Sequence, residues 1–350
     1  MAGPRVAVVG AGAWGTTLAR LVARVEPVTL LCHSSETAAR IRETGRNETR
    51  LPGVDLPSTV VATADPAALR DATDLVIFAA PSAHVRSTVE GLSPSLAQDA
   101  DLLSVVKGLE RGTLLRMSQV IAEAAAVPVG RVAALSGPNL AAEVARNLPA
   151  SAVVAAADIT LAERIVARLA RRRFRLYVNE DILGVELCGA LKNVVAIAAG
   201  AADALGFGDN GKAGLLTRGL AEMTRLGIAA GANPLTFAGL AGMGDLIATC
   251  GSPLSRNHRL GEELAKGRTW AEIEATLPGT AEGAYTVKAA LSLAGRLGVE
   301  MPIAREVERA LFEGKSVQRC LVDLLARESK DELADYGRWM ARLGERPGQG

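Results

Sequence analysis

The feature that most limits the fold lies near the amino terminus, where Gly10-Ala11-Gly12-Ala13-Trp14-Gly15 follows an apolar run at residues 5–9 and precedes a helical run at 16–25. In GxGxxG between strand and helix, the first glycine permits a tight turn and the second lets a pyrophosphate approach the backbone. The third lets helix and strand pack closely. The phosphates then sit on the helix N-terminus, where free N–H groups and the helix dipole favour anions. A second apolar run at residues 27–32 completes the β-α-β unit. A glycine-rich turn with no nucleotide is the competing reading, and this context disfavours it.

Further apolar runs at residues 59–62, 75–79, 102–106, 132–135 and 152–156 alternate with helical stretches such as 83–92 and 113–126. The pattern predicts an α/β fold, a doubly wound Rossmann-type domain over residues 1–180 that binds ligands beyond the carboxyl ends of its strands. Pro81 and Ser82, Lys107 and Gly108, and Ser136-Gly137-Pro138-Asn139 fall at such ends. A lone cation there, Lys107, suits an anionic ligand, and a solvated loop lysine is the alternative. NAD-binding folds usually place an acid about 20 residues beyond the glycines, where it accepts from the ribose. Here the stretch is Leu31-Cys32-His33-Ser34, with no acid before Glu36. His33 and Ser34 could instead donate to a 2′-phosphate, so NADP(H) is favoured and NAD(H) stays open.

Beyond residue 180 the β-alternation fades into helical runs at 185–205, 211–227, 234–240, 257–265, 270–275, 284–297, 303–312 and 316–325. The expectation is an all-helical substrate-binding domain over 181–345 with a loose tail at 346–350. The crevice between the two domains is then the natural active site. Residues 185–205 are small and aliphatic nearly all round, which argues for burial, yet they carry Glu186, Lys192 and Asn193. A lysine in such surroundings reaches solvent, pairs with a carboxylate, or loses pKa by desolvation and becomes an acid–base group. Two loops follow: Gly242-Met243-Gly244-Asp245-Leu246, with Thr249 four residues beyond its acid, and residues 251–257. In the latter, Ser255 as N-cap, free backbone N–H groups and Arg256 make an anion site fit for phosphate, although Ser255 could be a cap alone. Ala281-Glu282-Gly283 either returns an acceptor to the cofactor or forms a surface turn.

Composition excludes several classes. The chain has 350 residues, 49% hydrophobic and 22% charged, with net charge +1 and 3% aromatic residues. That is a soluble globular balance with no basic stripe or stacking platform for nucleic acid. The arginines at 171, 172, 173 and 175 read as the solvated end of a helix leading into a strand. Cys32, Cys188, Cys250 and Cys320 are scattered, which fits reduced thiols in the cytoplasm. No stretch reaches the ~18 uninterrupted apolar residues of a membrane span. Oligomeric state is not legible, a homodimer being one option.

Taken together, GAGAWGTTLA at 10–19, VVKGLE at 105–110, LSGPN at 135–139, ELCGALKNVVAIAAGAADALGFGDN at 186–210, GLAGMGDL at 239–246, SRN at 255–257 and AEG at 281–283 resemble the NAD(P)-dependent glycerol-3-phosphate dehydrogenase family. The resemblance implies hydride exchange between the nicotinamide and C2 of dihydroxyacetone phosphate, giving sn-glycerol 3-phosphate for glycerophospholipid synthesis, with no metal. It implies that Lys192 is the catalytic acid/base and that Asn193 and Thr249 lie in the active site. Lys107, Gly137, Asn139, Lys192, Asp245, Ser255, Arg256 and Asn257 would meet substrate. Beside Gly10, Gly12, Gly15 and Ser34, the nucleotide would meet Ala13, Trp14, His33, Lys107, Ala141, Arg256 and Glu282. Asn139 departs from the family, which usually has a small hydroxyl residue there. Two other readings stand beside this one: a dehydrogenase for another hydroxy acid or sugar derivative, and a non-catalytic dinucleotide-binding regulator.

Overall fold

The computed structural model describes residues 4–328 except Pro278. The expected domain end at 345 and the tail at 346–350 lie outside the described residues. In chain order the first part runs β1 (Val6–Val9), α1 (Ala13–Val22), β2 (Val28–Leu31), α2 (Ser35–Thr44), β3 (Val60–Thr63), β4 (Leu75–Phe78), α3 (Val85–Leu92) and β5 (Asp101–Ser104). It continues with α4 (Met117–Ala124), β6 (Val132–Ser136), α5 (Ala141–Ala145), β7 (Ala150–Ala155), α6 (Ile159–Leu169) and β8 (Phe174–Asn179). The strands form one sheet ordered β3-β2-β1-β4-β5-β6-β7-β8. Pairing is parallel except between β6 and β7. β1, β2 and β4 are buried along their whole length, as expected of central strands covered by helices on both faces. The chain order reverses at β1, and that switch point opens the crevice above the glycine turn.

The second part is helical: α7 (Ile182–Ala204), α8 (Gly208–Ala230), α9 (Pro234–Ala238), a π-helical turn at Leu240–Gly244, α10 (Asp245–Gly251), α11 (Arg256–Ala265) and α12 (Trp270–Glu274). α13 (Glu282–Arg296), α14 (Pro302–Phe312) and α15 (Val317–Leu325) follow. α7 is the axle of this part, touching α8, α10, α11 and α13 as well as β6. It is long and apolar enough to cross a membrane by length and composition, but 83% of its apolar window is buried inside the protein. α11 crosses α7 backbone to backbone. A Cβ at Gly200 would lie 1.9 Å from the His258 carbonyl oxygen, and one at Gly261 would lie 1.9 Å from that of Ile197. This contact fixes the start of α11 relative to the lysine on α7.

Glu186 ties α7 to the sheet part. Its carboxylate accepts from the Ser118 backbone N–H at 2.8 Å and Ser118 Oγ at 2.6 Å, and pairs with Arg116 at the start of α4. The stretch 242–246 is not the loop its glycines suggest, but a π-helical turn running into α10. Its glycine is sterically required, since a Cβ at Gly242 would lie 2.0 Å from the Phe237 carbonyl oxygen. Such turns recur at functional sites.

Candidate active site

The glycine turn has the expected form. Gly10 has φ +108°, and a Cβ at Gly15 would lie 2.0 Å from the Gly10 carbonyl oxygen. The N-cap of α1, Gly12, supplies no side-chain acceptor, so the first-turn N–H groups face the crevice. A Cβ at Gly12 would meet nothing within 4 Å. Open space above free helix N–H groups fits a pyrophosphate. Asn47, which the sequence did not single out, donates to the Ala11 carbonyl at 2.9 Å and to Thr16 Oγ1 at 2.8 Å, pinning its loop to the turn. Thr17 Oγ1 donates to the Ala141 carbonyl at 3.1 Å, which sets the start of α5 beside α1.

The other expected nucleotide residues divide. His33 is exposed just beyond β2. Ser34 is the N-cap of α2, accepting from the Thr37 N–H at 3.2 Å, so His33 is the freer donor at that strand end. Trp14 packs edge-on against Phe174 with ring centroids 6.1 Å apart. Trp14 lies on the first turn of α1, and its Nε1 is buried without a hydrogen-bond partner.

Across the crevice three charged groups converge on the carboxyl end of the sheet. Lys192 Nζ donates to Asp245 Oδ1 at 2.6 Å and Thr249 Oγ1 at 2.5 Å. Lys107 Nζ, just beyond β5, donates to Asp245 Oδ2 at 2.7 Å and to the Gly137 carbonyl and Asn139 Oδ1, both at 3.1 Å. Lys192 is 5% exposed and Asp245 2%. The lysine therefore does not snorkel to the surface; it is paired inside. Gly189, three residues before Lys192, makes room for this: a Cβ there would lie 2.7 Å from Ser136 Oγ and 3.4 Å from Lys107 Cγ. Burial pushes the Lys107 ammonium down to about 8; Asp245 opposes the shift and neighbouring Lys192 adds to it. For Asp245, burial works to raise the pKa, but the two ammonium groups outweigh it and hold the carboxyl below its ordinary value. Asn139 Nδ2 is buried without a hydrogen-bond partner.

Ser255 caps α11 by accepting from the His258 N–H at 3.2 Å, which leaves Arg256 on the first turn. Burial lowers the Arg256 pKa; the charge of Glu282 opposes that shift and the charge of Arg50, a cation from the sheet part, adds to it. Asn257 and Asn193 are turned into the helix packing. Asn257 Nδ2 donates to Asn193 Oδ1 at 2.9 Å, and the Gly283 N–H donates to Asn257 Oδ1 at 2.9 Å. Glu282, the first residue of α13, is no surface turn: its carboxylate accepts from the Ser82 N–H at 3.2 Å and from Ser82 Oγ. Burial raises its pKa, against the lowering by Ser82.

Comparison with known proteins places the chain in a family. Residues 5–162 match the model of the NAD-dependent glycerol-3-phosphate dehydrogenase N-terminus, and residues 181–322 match that of its C-terminus. The glycerol-3-phosphate dehydrogenase [NAD(P)+] of Streptomyces griseus subsp. griseus is 47% identical over 329 residues, 94% of this chain and 98% of that protein. That of Moorella thermoacetica is 47% identical over 336 residues, covering 95% and 99%. The crystal structure of glycerol-3-phosphate dehydrogenase from Coxiella burnetii superposes with a TM-score of 0.88 at 36% identity, over 93% of this chain and 100% of that one. The chain belongs to the NAD-dependent glycerol-3-phosphate dehydrogenase family.

Proposed function

We propose that the protein is the oxidoreductase that interconverts dihydroxyacetone phosphate and sn-glycerol 3-phosphate, with NADP(H) favoured over NAD(H). The observation that carries the reading is the pair of lysines on Asp245 at the carboxyl end of the sheet, facing a dinucleotide turn. The nicotinamide, when bound, supplies or accepts the hydride at C2. Lys192 donates a proton to the C2 oxygen as negative charge develops there, and takes it back in the reverse direction. Asp245 and Thr249 aim its ammonium, and Lys107 brings a second positive charge to the same oxygen. Arg256 and the free N–H groups of α11 hold the substrate phosphate. Asn193 and Asn257 position these two helices against one another. Glu282 and Ser82 bridge the dinucleotide-binding domain, residues 1–180, and the helical substrate domain, which we start at 181 because β8 ends at Asn179 and α7 begins at Ile182.

The preference for NADP(H) is supported by exposed His33 and by the absence of an acid at the end of β2. The phosphate product suits a role in supplying the glycerophospholipid backbone, and four free, buried thiols fit the cytoplasm. The test is oxidation of NADPH and NADH by dihydroxyacetone phosphate, followed in parallel at the nicotinamide absorbance. Turnover with a higher kcat/KM for NADPH is expected. No turnover with either would overturn the reaction, and a clearly higher kcat/KM for NADH would overturn the cofactor preference.

A further inference from the structure

The segment that joins β5 to α4 starts in the active site and packs on the other side of the domain boundary. It runs from Lys107, just beyond β5, to Arg116, the N-cap of α4, and so belongs to the sheet part by connectivity. An antiparallel bridge between Leu109 and Arg116, with the Glu110 N–H donating to the Leu115 carbonyl at 2.9 Å, closes it into a narrow strap. Its apolar side chains nevertheless go to the helical part. Leu109 is buried in the core built around α7, and Leu114 packs against that core. Leu114 does so with φ +64°, a left-handed conformation that side chains other than glycine rarely take. Such a conformation persists only where its surroundings over-determine it.

Polar contacts fasten the strap on both sides. On the sheet side, Glu110 accepts two hydrogen bonds from Arg86 of α3, both at 2.8 Å. On the helical side, Arg116 pairs with Glu186 of α7 at 2.5 Å, and the Arg111 guanidinium lies 4.5 Å from the centroid of the Tyr285 ring on α13. That ring is itself fixed: it stands edge-on to Trp270 of α12 at 6.0 Å, and its hydroxyl donates to Glu274. Gly108 lies against the contact between Ser82 and Glu282, since a Cβ there would meet Ser82 Cβ at 2.7 Å. The first residue of the strap is Lys107, whose amine donates to Asp245 of α10 and feels the charge of Lys192 on α7. Lys107 is thus held at its amine by α10 and along its backbone by a strap that grips α7 and α13.

We propose that this strap places Lys107 for the reaction, with Leu114 and Arg111 as its positioning residues, so that the grip of the helical part on the strap sets where the amine stands. The proposal rests on the reading of Lys107 as a substrate-facing cation. The test compares Leu114→Gly, Arg111→Ala and Arg111→Lys with the parent in two measurements. One is steady-state reduction of dihydroxyacetone phosphate by NADPH. The other, made without substrate, is the pH dependence of Lys107 labelling by acetic anhydride, read by mass spectrometry, which gives the midpoint of the amine whether or not the enzyme turns over. Glycine takes φ +64° without strain, so Leu114→Gly permits the same backbone path and removes the hold on the helical core. It should lower kcat on the order of tenfold, the effect of a displaced catalytic group, with NADPH affinity unchanged. The labelling midpoint should move up from about 8 as water reaches the amine. Arg111 is exposed, so Arg111→Ala folds; its kcat should fall roughly two- to fivefold, the loss of one exposed cation–π contact, with a smaller upward move of the midpoint. Arg111→Lys keeps a cation over the ring and should stay within about twofold of the parent. Parental kcat and an unmoved midpoint in both Leu114→Gly and Arg111→Ala overturn the proposal. A lower kcat with an unmoved midpoint also overturns it, because the lysine has then not been displaced. A parent that does not reduce dihydroxyacetone phosphate overturns the reaction instead, and the midpoints of the variants still decide the strap.

Discussion

Lys107 and Lys192 hold opposite oxygens of a single buried carboxylate, Asp245, at 2.7 and 2.6 Å. They come from a strand-end loop and a helix of different parts of the molecule, so the carboxylate both neutralises them and fixes their separation. Without it, two ammonium groups would face each other in a site with little water. Asp245→Asn should therefore lower kcat by a factor on the order of 10² or more, the range for a mispositioned acid. It should also move the alkaline fall of activity to lower pH, because the carboxylate raises the Lys107 pKa. Steady-state rates across pH check both, and an unshifted profile with near-parental kcat would contradict the shared-carboxylate role.

Lys107 gives the parent enzyme its own pH dependence. Its pKa is lowered from 10.5 to about 8, so it carries a proton below about 8 and loses it above. The kcat/KM for ketone reduction should thus fall as pH rises through about 8, since this parameter reports groups of the free enzyme. Lys107→Arg keeps the charge at all accessible pH and should displace that fall upward. A fall that stays in place in the variant would assign it to another group.

Asn139 brings a buried amide N–H with no partner to the side of Lys107 where substrate is expected. If a substrate oxygen accepts from it, Asn139→Ala should raise the KM for dihydroxyacetone phosphate about fivefold, one ordinary hydrogen bond, with kcat little changed. Asn139→Ser, which places there the small hydroxyl that the family resemblance implies, should recover much of the loss. Unchanged KM in the alanine variant would remove Asn139 from the substrate contacts.

Glu186, by contrast, is structural. Its carboxylate is buried against Arg116 and Ser118, so Glu186→Ala leaves a guanidinium without its counter-charge. A loss of about 3 kcal/mol of stability is expected, as for other broken buried pairs. Urea unfolding with an unchanged slope and a lower midpoint would report it. A midpoint within error of the parent would show that α7 does not depend on this tie.

The parts legible in the sequence were those whose signal is local. The GxGxxG turn, the buried strands and the apolar axle α7 each announce themselves through spacing and composition. α2 is not legible because residues 35–44 are mostly polar and present only Ala38 and Ile41 to the core. The turn at 240–244 reads as a loop because glycine is a helix breaker by propensity, while here it is selected by the closeness of Phe237. The site itself was legible as residue types but not as partners. Asp245 is 138 positions from Lys107, and nothing local says that both lysines bind the same carboxylate. Asn47 and Arg50 carry no local signal for the same reason, since a loop residue gains its meaning only when folding lays it on the glycine turn or brings its charge to bear on Arg256.

The most direct test is Lys192→Ala, assayed by single-turnover and steady-state reduction of dihydroxyacetone phosphate, with cofactor affinity measured by fluorescence titration. Lys192 is held at 2.6 Å by Asp245 and at 2.5 Å by Thr249 at the carboxyl end of the sheet. If it protonates the forming alkoxide, kcat should fall by a factor on the order of 10²–10⁴ while NADPH affinity and folding change little. A folded, NADPH-binding variant that turns over within a few-fold of the parent would contradict the mechanism.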